Sequence, residues 1–545
     1  MIPKNLDARL LLGTLLAGVT AAIMATLPHG GLLAHTAADD AFYYLGIARR
    51  AGETRWPSFD GIHTTTGFHP LWLFMLVPLA KAISAPWTLV RAAIALSSAL
   101  MIGASLAFGR LFGRVWGASA GVVGAVLLVA SPGTARLGWM TMEAPLALLV
   151  LALFLMEIFR GPVRAVLLGA LAGLAILARL DMAIVVAVAL VWRVLVRRAI
   201  PIRSAIGAGV IALAVVVPYL AWNVSLTGHA VTISSATKAY VASDAAMREH
   251  GGRLSAGFLA DVARELGRAG RDVARLSPAA VLAGPIALAG GDHPSAVDPA
   301  RHRGGIALLA AVALFLGWVL SRWTGRRLEP LAPASPDLLI ILTLASALHA
   351  GAACVLLTGQ SGPWYWGLEV VTLVAAISYA SARWQSARTV ASVACGTSVV
   401  SMAMLAAALI SARAAGRFDN RASFASVMLE AGEALDARRG PNERAGSCNA
   451  GTLGFFEPRV VNVDGLVNDW SFLEARRRGD VRGYLAREDV RWVVDCVPAA
   501  QMTAYAAQLG LGRGDIVPAV EIPGPACVGF VWRIADPSPP IASRR

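Results

Sequence analysis

Apolar runs of helical length recur along the first three quarters of this 545-residue chain. A helix that crosses a bilayer needs about 20 mostly apolar residues, and the longest runs reach that length. Only 15% of the residues are charged and 57% are hydrophobic, whereas a typical soluble domain is about 25% charged and about 45–50% apolar. The pattern predicts a polytopic α-helical membrane protein and argues against a soluble enzyme with one membrane tail. We assign eleven runs, near residues 9–28, 89–108, 117–132, 144–159, 165–178, 182–197, 205–222, 305–321, 338–357, 366–381 and 389–411.

The arginines predict which ends of these helices face the cytoplasm. The formal net charge is +14, and almost all of the excess precedes residue 413. Cytoplasmic loops of membrane proteins are enriched in Lys and Arg. If the segment 70–84 lies at the membrane interface, every inner turn carries arginine, the N-terminus is inside and the C-terminal domain is outside. The positive charge is therefore assigned to topology, with no nucleic-acid partner. The inner turns contain Arg110 and Arg114; Arg160 and Arg164; Arg193, Arg197, Arg198 and Arg203; Arg322, Arg326 and Arg327; Arg383 and Arg388.

The same topology gathers the chain's polar chemistry on the outer face. Eight of the nine histidines fall on or beside outer loops, and only His349 falls within a predicted span. Ionisable residues at a membrane are costly, so a functional role is the default hypothesis for those that remain. The candidates on this face are Asp39, Asp40, His69, Glu143, Arg179, Asp181 and Lys238.

Two adjacent acids begin a predicted short helix in the first outer loop. Asp39 and Asp40 open the sequence DDAFYYLGIARR, with Tyr43 among its apolar positions. A helix N-terminus stabilises carboxylates, so the pair can serve simply as a helix start. Alternatively, one carboxylate faces a site at the membrane surface as a general base or a ligand. His69 precedes the interfacial segment 70–84 and either caps that helix or binds phosphate.

Later segments carry further candidates, each with a structural alternative. Glu143 opens the fourth span, where it complements the helix dipole or converges with the acids of the first loop. Arg179 pairs with Asp181 or binds a phosphate, because its guanidinium makes bidentate contacts. Lys238 is the only lysine in the long fourth outer loop, and its alternative is a solvated surface position. Two aromatic residues of another outer turn form an interfacial belt or stack on sugar rings and isoprenoid chains: Tyr365 and Trp366.

The pattern changes near residue 412, which divides the chain into a membrane domain, 1–411, and an outer domain, 412–545. Strand-like runs alternate there with helical segments, which predicts a small α/β domain. This domain has no GxGxxG motif or P-loop, so a nucleotide site is not predicted. The strand-like runs lie at 460–465, 490–496 and 527–535.

The five cysteines divide between the two predicted domains. Cys354 and Cys395 lie in apolar spans and are predicted to be packing residues. The other three lie on the predicted outer side, where conditions are oxidising, which predicts one disulfide and one remaining thiol. The predicted pair is Cys448–Cys496, which leaves Cys527. No Cys/His spacing is typical of a zinc site.

The order of motifs resembles one family of membrane enzymes. A first span leads into DDAFYYLGIAR, followed by FDGIHTTTGFHPLW, GWMTMEAPLALL, an ARLD turn, PYLAWNVSLTGHAVTISSATK and, in the outer domain, GTLGFFEPRVVNVDGLVND. As a set, these segments resemble the GT-C superfamily of membrane glycosyltransferases, which includes protein O-mannosyltransferases, the lipid A aminoarabinose transferase and mycobacterial arabinofuranosyltransferases. The resemblance covers nearly the whole chain and rests chiefly on the double acid, HPLW and ME-x-P.

The resemblance implies a glycosyltransferase whose donor is a sugar on a polyprenyl phosphate, at the outer face of the bacterial cytoplasmic membrane. The family's first-loop acid, the general base, matches Asp40 and, as second choice, Asp39. The second-loop acid matches Glu143, which would assist the acceptor or the donor. The basic residues that hold the donor phosphate match Lys238 and Arg179. Some family members use a divalent cation, for which Asp39 and Asp40 are the candidate ligands.

His69, Asp181, Tyr43, Tyr365 and Trp366 complete the predicted substrate-binding set. A polyprenyl phosphate is a competent leaving group, so the reaction needs one base for the acceptor hydroxyl and cations for the phosphate. Direct displacement predicts inversion at the anomeric carbon. The predicted acceptor is an envelope glycan, lipid or protein. The alternatives are a lipid or solute transporter or flippase, which would carry charged groups in mid-membrane, and a non-catalytic envelope scaffold.

Overall fold

The chain forms a set of long apolar helices followed by a small five-stranded sheet. The computed structural model describes residues 8–35, 38–54, 56–252, 255–276, 335–358, 361–414, 423–524 and 527–535. The predicted span near 305–321 lies outside these residues. The helices before the sheet are α1 (Ala8–Ala25), α2 (His29–His35), α3 (Asp39–Thr54), α4 (Pro70–Ala82), α5 (Pro86–Trp116), α6 (Ala118–Val129), α7 (Pro132–Trp139), α8 (Ala144–Ile158), α9 (Ala165–Ala178), α10 (Met182–Val191), α11 (Ile202–Thr227), α12 (Ile233–His250), α13 (Ala256–Leu276), α14 (Asp337–Leu356), α15 (Gly367–Arg383) and α16 (Gln385–Ala414).

Six of the described helices are long and apolar enough to cross a bilayer: α1, α5, α11, α14, α15 and α16. The apolar helices α6 and α7 meet at a bend of 58° and together would form a seventh span. The helices α4, α8, α9 and α10 are apolar but shorter. The chain is therefore a multi-pass membrane protein, as predicted, whereas the count of eleven spans is not confirmed.

Proline marks the start of several of these helices. A proline stands within the first two residues of α4, α5, α7 and α8. Its fixed φ suits the first turn, where its missing N–H has no hydrogen bond to make. The helix α11 ends at Thr227, and Gly228 follows it with a φ of +76°. Glycine adopts this conformation without a Cβ clash. These signals place Glu143 immediately before the first turn of α8.

The hydrophilic segment after α11 forms two helices, α12 and α13. Thr232 begins α12 with a side-chain hydrogen bond from the Ser235 backbone N–H, the usual N-cap arrangement. The Ile233 N–H donates to Thr66 Oγ1 at 3.1 Å, which ties the start of α12 to the first outer loop. This anchor fixes the position of Lys238, one and a half turns along the helix.

The sheet has the strand order β2-β1-β3-β5-β4, in which β1 is parallel to both neighbours and β5 is antiparallel to both of its own. Three predicted runs overlap β2, β3 and β5. The sequence did not indicate β1, which has no β-branched residue, or β4, which contains two prolines. The elements are α17 (Phe424–Asp436), β1 (Arg444–Ser447), α18 (Ala450–Phe456), β2 (Val460–Asn462), α19 (Trp470–Arg477), α20 (Val481–Arg487), β3 (Val490–Val497), α21 (Met502–Gln508), β4 (Ile516–Pro523) and β5 (Val528–Ile534).

The disulfide joins Cys496 to Cys527, so the predicted pair Cys448–Cys496 is wrong. The antiparallel pairing of β3 with β5 places Cys496 opposite Gly529, two residues from Cys527, and the two Cα atoms lie 5.4 Å apart. That distance is within the normal range for a disulfide. Cys448 follows β1 and remains a free thiol. The division of the chain at 411/412 stays a prediction, and α16 continues to Ala414.

A buried polar group joins the first outer loop to the sheet domain; we call it the docking cluster (Asp60, His63, Tyr484 and Glu488). The His63 ring contacts Asp60 Oδ2 at 2.5 Å through Nδ1, and Glu488 Oε2 at 3.1 Å through Nε2. The Tyr484 hydroxyl lies 3.3 Å from the same Nε2. Burial lowers the pKa of His63, but the hydrogen bond and charge of Asp60 outweigh it and raise the pKa to about 9. The protonated ring therefore bridges two carboxylates across the interface.

Candidate active site

A cavity of about 160 Å³ lies where the first outer loop, three helix ends, α12 and the sheet domain meet. An engineered apolar cavity of about 150 Å³ accommodates one benzene ring, so this space fits a single group of that size. Eight of the ten predicted site residues line it, and Asp39 and Trp366 do not. The eight are Asp40, Tyr43, His69, Glu143, Arg179, Asp181, Lys238 and Tyr365.

The two acids at the start of α3 have different surroundings. The Asp39 carboxylate accepts hydrogen bonds from the backbone N–H groups of Gly451 and Thr452, at 3.0 and 2.8 Å, and from the Thr452 hydroxyl at 2.8 Å. It therefore caps the N-terminus of α18 from a distant part of the chain. Burial outweighs these hydrogen bonds, and the pKa of Asp39 rises to about 7. The carboxylate of Asp39 is committed to the contact between the first outer loop and the sheet domain.

Asp40 faces the cavity instead. Within the described part of the chain, no group donates a hydrogen bond to its carboxylate. Burial raises the pKa of Asp40 above its ordinary value; the charge of Lys238 lowers it, and that of Glu143 raises it further. A carboxylate with a raised pKa and no protein donor is available to accept a proton from a bound group.

Glu143 reaches the cavity from the start of α8 and is 2% exposed. Its Oε1 atom lies 3.2 Å from Arg179 Nη1 and 3.8 Å from His69 Nε2. Its Oε2 atom is buried and has no hydrogen-bond partner among the described residues. A buried unsatisfied carboxylate oxygen costs free energy, so a bound group that donates to it would stabilise the site.

The turn before Glu143 is strained. Thr141 has a φ of +60°, although it is β-branched and fully buried. Such a residue is a genuine outlier in the left-handed region, at a cost of about 1–3 kcal/mol. The Thr141 hydroxyl donates to the Trp139 carbonyl at 3.1 Å, and the Ala38 N–H donates to the Met140 carbonyl at 3.3 Å. These bonds hold the turn against the first outer loop and aim Glu143 into the cavity.

Arg179 forms the ion pair with Asp181 that its sequence context allowed. Its Nε and Nη2 atoms lie 3.0 and 2.6 Å from the Asp181 carboxylate. Its Nη1 atom donates to Glu143 at 3.2 Å and to the Trp364 carbonyl at 3.1 Å, and the guanidinium lies over the Tyr365 ring at 4.6 Å. Four of its five N–H groups are thus engaged within the protein. Arg179 therefore has a structural role, because it links Asp181, Glu143 and the Trp364 carbonyl across the cavity.

A series of polar contacts extends from Asp181 into the spanning helices. His349 of α14 lies 3.1 Å from Asp181 Oδ2 through Nε2 and 2.8 Å from Glu369 Oε1 through Nδ1. The sequence pattern places His349 as the single histidine within a predicted span and assigns it no site role. The cost of an ionisable residue in the membrane is the signal that could have identified it. In the structure it supports Asp181, and through it Arg179.

Lys238 is the cation best placed to meet a ligand. Its Nζ atom donates to the Tyr365 hydroxyl at 3.0 Å, which leaves two of its three N–H groups for the cavity. The neighbouring Thr237 hydroxyl donates to the Gly465 carbonyl at 3.0 Å and fixes this turn of α12 against the sheet domain. Burial lowers the pKa of Lys238, but Tyr365 and Asp40 outweigh it and raise the pKa. The side chain is therefore charged at neutral pH.

The other predicted residues take distinct places. The Tyr43 hydroxyl donates to the Cys448 carbonyl and accepts from Asn462 Nδ2, both at 3.1 Å. His69 is the residue before α4, but its side chain does not cap that helix. Burial lowers the pKa of His69, and its buried Nδ1 has no hydrogen-bond partner in the described ranges. Trp366 is buried outside the cavity and packs its ring edge-on to His349.

The sheet domain supplies one wall of the cavity, which sequence reasoning missed. Leu466 and Val467, from the loop after β2, line it directly. Gly67 approaches this loop so closely that a Cβ would lie 2.0 Å from the Leu466 carbonyl oxygen. The motif VVNVDGLVND could have indicated this loop, because its glycine and asparagines are typical of a tight turn. The cavity is thus complete only with both parts of the chain.

The described residues contain one group of three metal-binding side chains close enough to share an ion: Glu249, His250 and Asp261. It lies at the junction of α12 and α13. Neither Asp39 nor Asp40 belongs to it. None of these three side chains lines the cavity.

No protein-family model matches this sequence, and no curated protein is significantly similar to it. The crystal structure of ArnT from Cupriavidus metallidurans bound to undecaprenyl phosphate has the same fold, with a TM-score of 0.51 and 13% sequence identity over 96% of this chain and 97% of that one. The chain has a GT-C-like fold. The oligosaccharyltransferase from Archaeoglobus fulgidus has a TM-score of 0.49 and 15% identity, over 96% of this chain and 73% of that one. The GT-C-like fold agrees with the resemblance that the motifs indicated.

Proposed function

We propose that this chain is a glycosyltransferase that moves a sugar from a polyprenyl phosphate to an acceptor hydroxyl. One observation carries the proposal: the open carboxylate of Asp40 and the ammonium of Lys238 face the same small cavity in a membrane protein with a GT-C-like fold. A base for the acceptor and a cation for the phosphate are the two groups that this reaction needs. Undecaprenyl phosphate, the lipid bound to ArnT, is the chemical class of carrier that we propose for this chain.

Lys238 is the proposed ligand of the donor phosphate. Among the described residues, two of its N–H groups have no acceptor and can donate to phosphate oxygens, whereas Arg179 has one such N–H group. Negative charge grows on the phosphate as the bond to the anomeric carbon breaks, and a fixed ammonium stabilises it. The phosphate leaves as a stable anion, so no general acid is required at that oxygen.

Asp40 is the proposed general base. It takes the proton of the acceptor hydroxyl while the hydroxyl oxygen attacks the anomeric carbon from the side opposite the phosphate. Single displacement inverts the anomeric configuration. Burial raises the pKa of Asp40 toward the working pH, which favours proton transfer to it. We assign the base to Asp40 because the carboxylate of Asp39 is occupied by three donors from α18.

Glu143 and Arg179 are proposed to position the substrates. The unpartnered Oε2 atom of Glu143 is an acceptor for a sugar or acceptor hydroxyl. Arg179 holds Glu143 through Oε1, and its remaining N–H group adds positive charge beside the phosphate. His69, which burial keeps neutral, presents a ring nitrogen to the same space.

We propose that the cavity opens on the outer face of a bacterial cytoplasmic membrane, with the domain 412–545 outside. Arginine-bearing turns among the described residues support this orientation: Arg160 and Arg164 lie between α8 and α9, whose other ends reach the cavity. The apolar helices provide the surface along which the polyprenyl chain lies. The acceptor is an envelope glycan, lipid or protein that approaches along the sheet-domain wall of Leu466 and Val467.

The transporter alternative rests on the charged groups within the helices. His349 and Glu369 do extend the series of polar contacts from the cavity into α14 and α15. His349 contacts both Glu369 and Asp181, and this arrangement also explains how Arg179 is held. The reaction chemistry of the cavity therefore favours the transferase.

The proposal is tested by mass spectrometry of envelope glycans and polyprenyl-linked sugars in a deletion strain. We expect the lipid-linked donor to accumulate and one sugar to be missing from an envelope component. Wild-type protein should restore the sugar, and Asp40→Asn, inserted at the same level, should not. Asp489→Asn, which makes the same change at an exposed position of the sheet domain, is the matched control. An unchanged glycome in the deletion strain would contradict the proposal.

A further inference from the structure

A groove of about 630 Å³ lies between the ends of α5, α8 and α9. This volume is typical of small-molecule sites. It is separate from the cavity, because Glu143, just before the start of α8, lies in the cavity, whereas α8 ends at Ile158 beside the groove. The next helix, α9, runs back from Arg164 at the groove to Arg179 at the cavity. A helix of this length spans about 22 Å, against about 30 Å for the bilayer's hydrocarbon core. The groove therefore faces the leaflet opposite the one on which the cavity opens.

Four guanidinium groups and one carboxylate border the groove. Glu157 accepts from Arg164 through its backbone N–H, Nε and Nη2, at 2.9, 3.1 and 2.8 Å, and lies 3.8 Å from Arg160. Both of its oxygens are thus engaged. Arg110 and Arg114, one turn apart on α5, have no carboxylate partner among the described residues. The groove therefore holds three positive charges in excess next to apolar helices, and they repel one another unless an anion joins them.

The wall below these arginines is apolar. Leu153 of α8 and Leu167 and Leu171 of α9 line it. Leu153 remains 37% exposed on a helix that lies among membrane spans. A free phosphate ion would gain nothing from this wall. A ligand with an anionic head and a hydrocarbon chain matches both surfaces.

We propose that this groove binds an anionic membrane phospholipid, with its phosphate among the four arginines and an acyl chain along Leu153, Leu167 and Leu171. Basic pockets between transmembrane helices are known to hold anionic headgroups. The enrichment of arginine at this membrane face requires only charge. It does not require that arginines of α5 and of the turn between α8 and α9 converge on one groove with an apolar wall. The proposal does not depend on the transferase function.

The test is native mass spectrometry of the full chain extracted from vesicles of equal phosphatidylglycerol and phosphatidylethanolamine. Retained phosphatidylglycerol should exceed retained phosphatidylethanolamine in the wild type. The double variant Arg110→Gln/Arg114→Gln should retain phosphatidylglycerol about 30-fold more weakly, given the contribution of each arginine near a membrane surface. Arg198→Gln/Arg203→Gln removes the same charge from the same membrane face outside the groove, and should match the wild type.

A second variant keeps the test decisive if the double variant fails to fold. Leu167→Trp fills the groove without changing its charge and should also reduce phosphatidylglycerol retention. Equal retention of the two lipids by the wild type would overturn the proposal, as would unchanged retention by Leu167→Trp. Displacement of the lipid by millimolar inorganic phosphate would identify a free-anion site and would overturn the assignment to a lipid.

Discussion

Two polar clusters flank the first outer loop, and they differ in what their charged groups contact. In the docking cluster, His63 lies between Asp60 and Glu488, and every charged group has a protein partner. In the cavity, Asp40 has no hydrogen-bond donor among the described residues, and one oxygen of Glu143 is unpartnered. Both clusters are buried between the same two parts of the chain. They differ because Asp40 lies beside the cavity, whereas the charged groups of the docking cluster contact one another.

The contrast separates structural from functional acids. A buried charge that is fully hydrogen-bonded holds two surfaces together, and removal of one partner leaves the other uncompensated. A buried charge that faces a cavity without partners lowers stability and is retained when a ligand uses it. Asp39 and Asp40 show the same division within two residues, since Asp39 caps α18 and Asp40 lines the cavity.

The largest expected effect is at Asp40. Asp40→Asn keeps the shape of the side chain but removes the proton acceptor, so the transfer rate should fall by about 10²- to 10⁴-fold. The thermal unfolding midpoint should fall less than it does for Asp39→Asn, because no described group donates a hydrogen bond to this carboxylate. Transfer assays on purified protein in liposomes measure the first quantity, and a thermal melt measures the second. A stability loss equal to that of Asp39→Asn would show that Asp40 is structural.

The next effect is at Lys238. Lys238→Met keeps the length of the side chain and removes its charge. The affinity for the lipid-phosphate donor should fall by about 10- to 100-fold, the value of a charge-assisted hydrogen bond. Titration with polyprenyl phosphate and with the uncharged polyprenol distinguishes the cause. Equal weakening for both lipids would point to lost packing and would count against the phosphate contact.

Asp39→Asn should act on stability more than on chemistry. It weakens the cap on α18 by about 0.5–2 kcal/mol and loosens the sheet domain from the first outer loop. We expect a lower unfolding midpoint and faster proteolysis between the two parts of the chain. At temperatures below that midpoint, the transfer rate should stay within tenfold of the wild type. A rate loss as large as that of Asp40→Asn, in folded protein, would reverse the two assignments.

The smallest expected effect is the pH dependence of the stability that the docking cluster provides. The pKa of His63 is about 9 in the folded protein, against 6.5 for an ordinary histidine. Its contribution to stability is therefore complete below pH 6.5 and is lost as the pH rises through 9. Limited proteolysis should release the sheet domain more readily at pH 9 than at pH 6.5. His63→Gln should lower protection at pH 6.5 and flatten this dependence; an unchanged pH profile would contradict the account.

The sequence predicted the membrane fold and most of the cavity residues, because costly charges in an apolar chain stand out. It could not separate Asp39 from Asp40, since the donors to Asp39 lie at Gly451 and Thr452, more than 400 residues away. The cavity wall at Leu466 escaped prediction for the same reason. The disulfide was mispredicted because the pairing of β3 with β5 depends on the sheet order.

The most direct measurement of the central claim compares Asp40→Asn, Asp39→Asn and the wild type in one transfer assay. The three proteins are placed in liposomes at equal folded amounts with lipid-linked donor, and envelope extract of the deletion strain provides the acceptor. The account predicts that Asp40→Asn transfers at least a hundred times more slowly than the wild type, while Asp39→Asn stays within tenfold. Wild-type transfer by folded Asp40→Asn would contradict the claim that this carboxylate is the base.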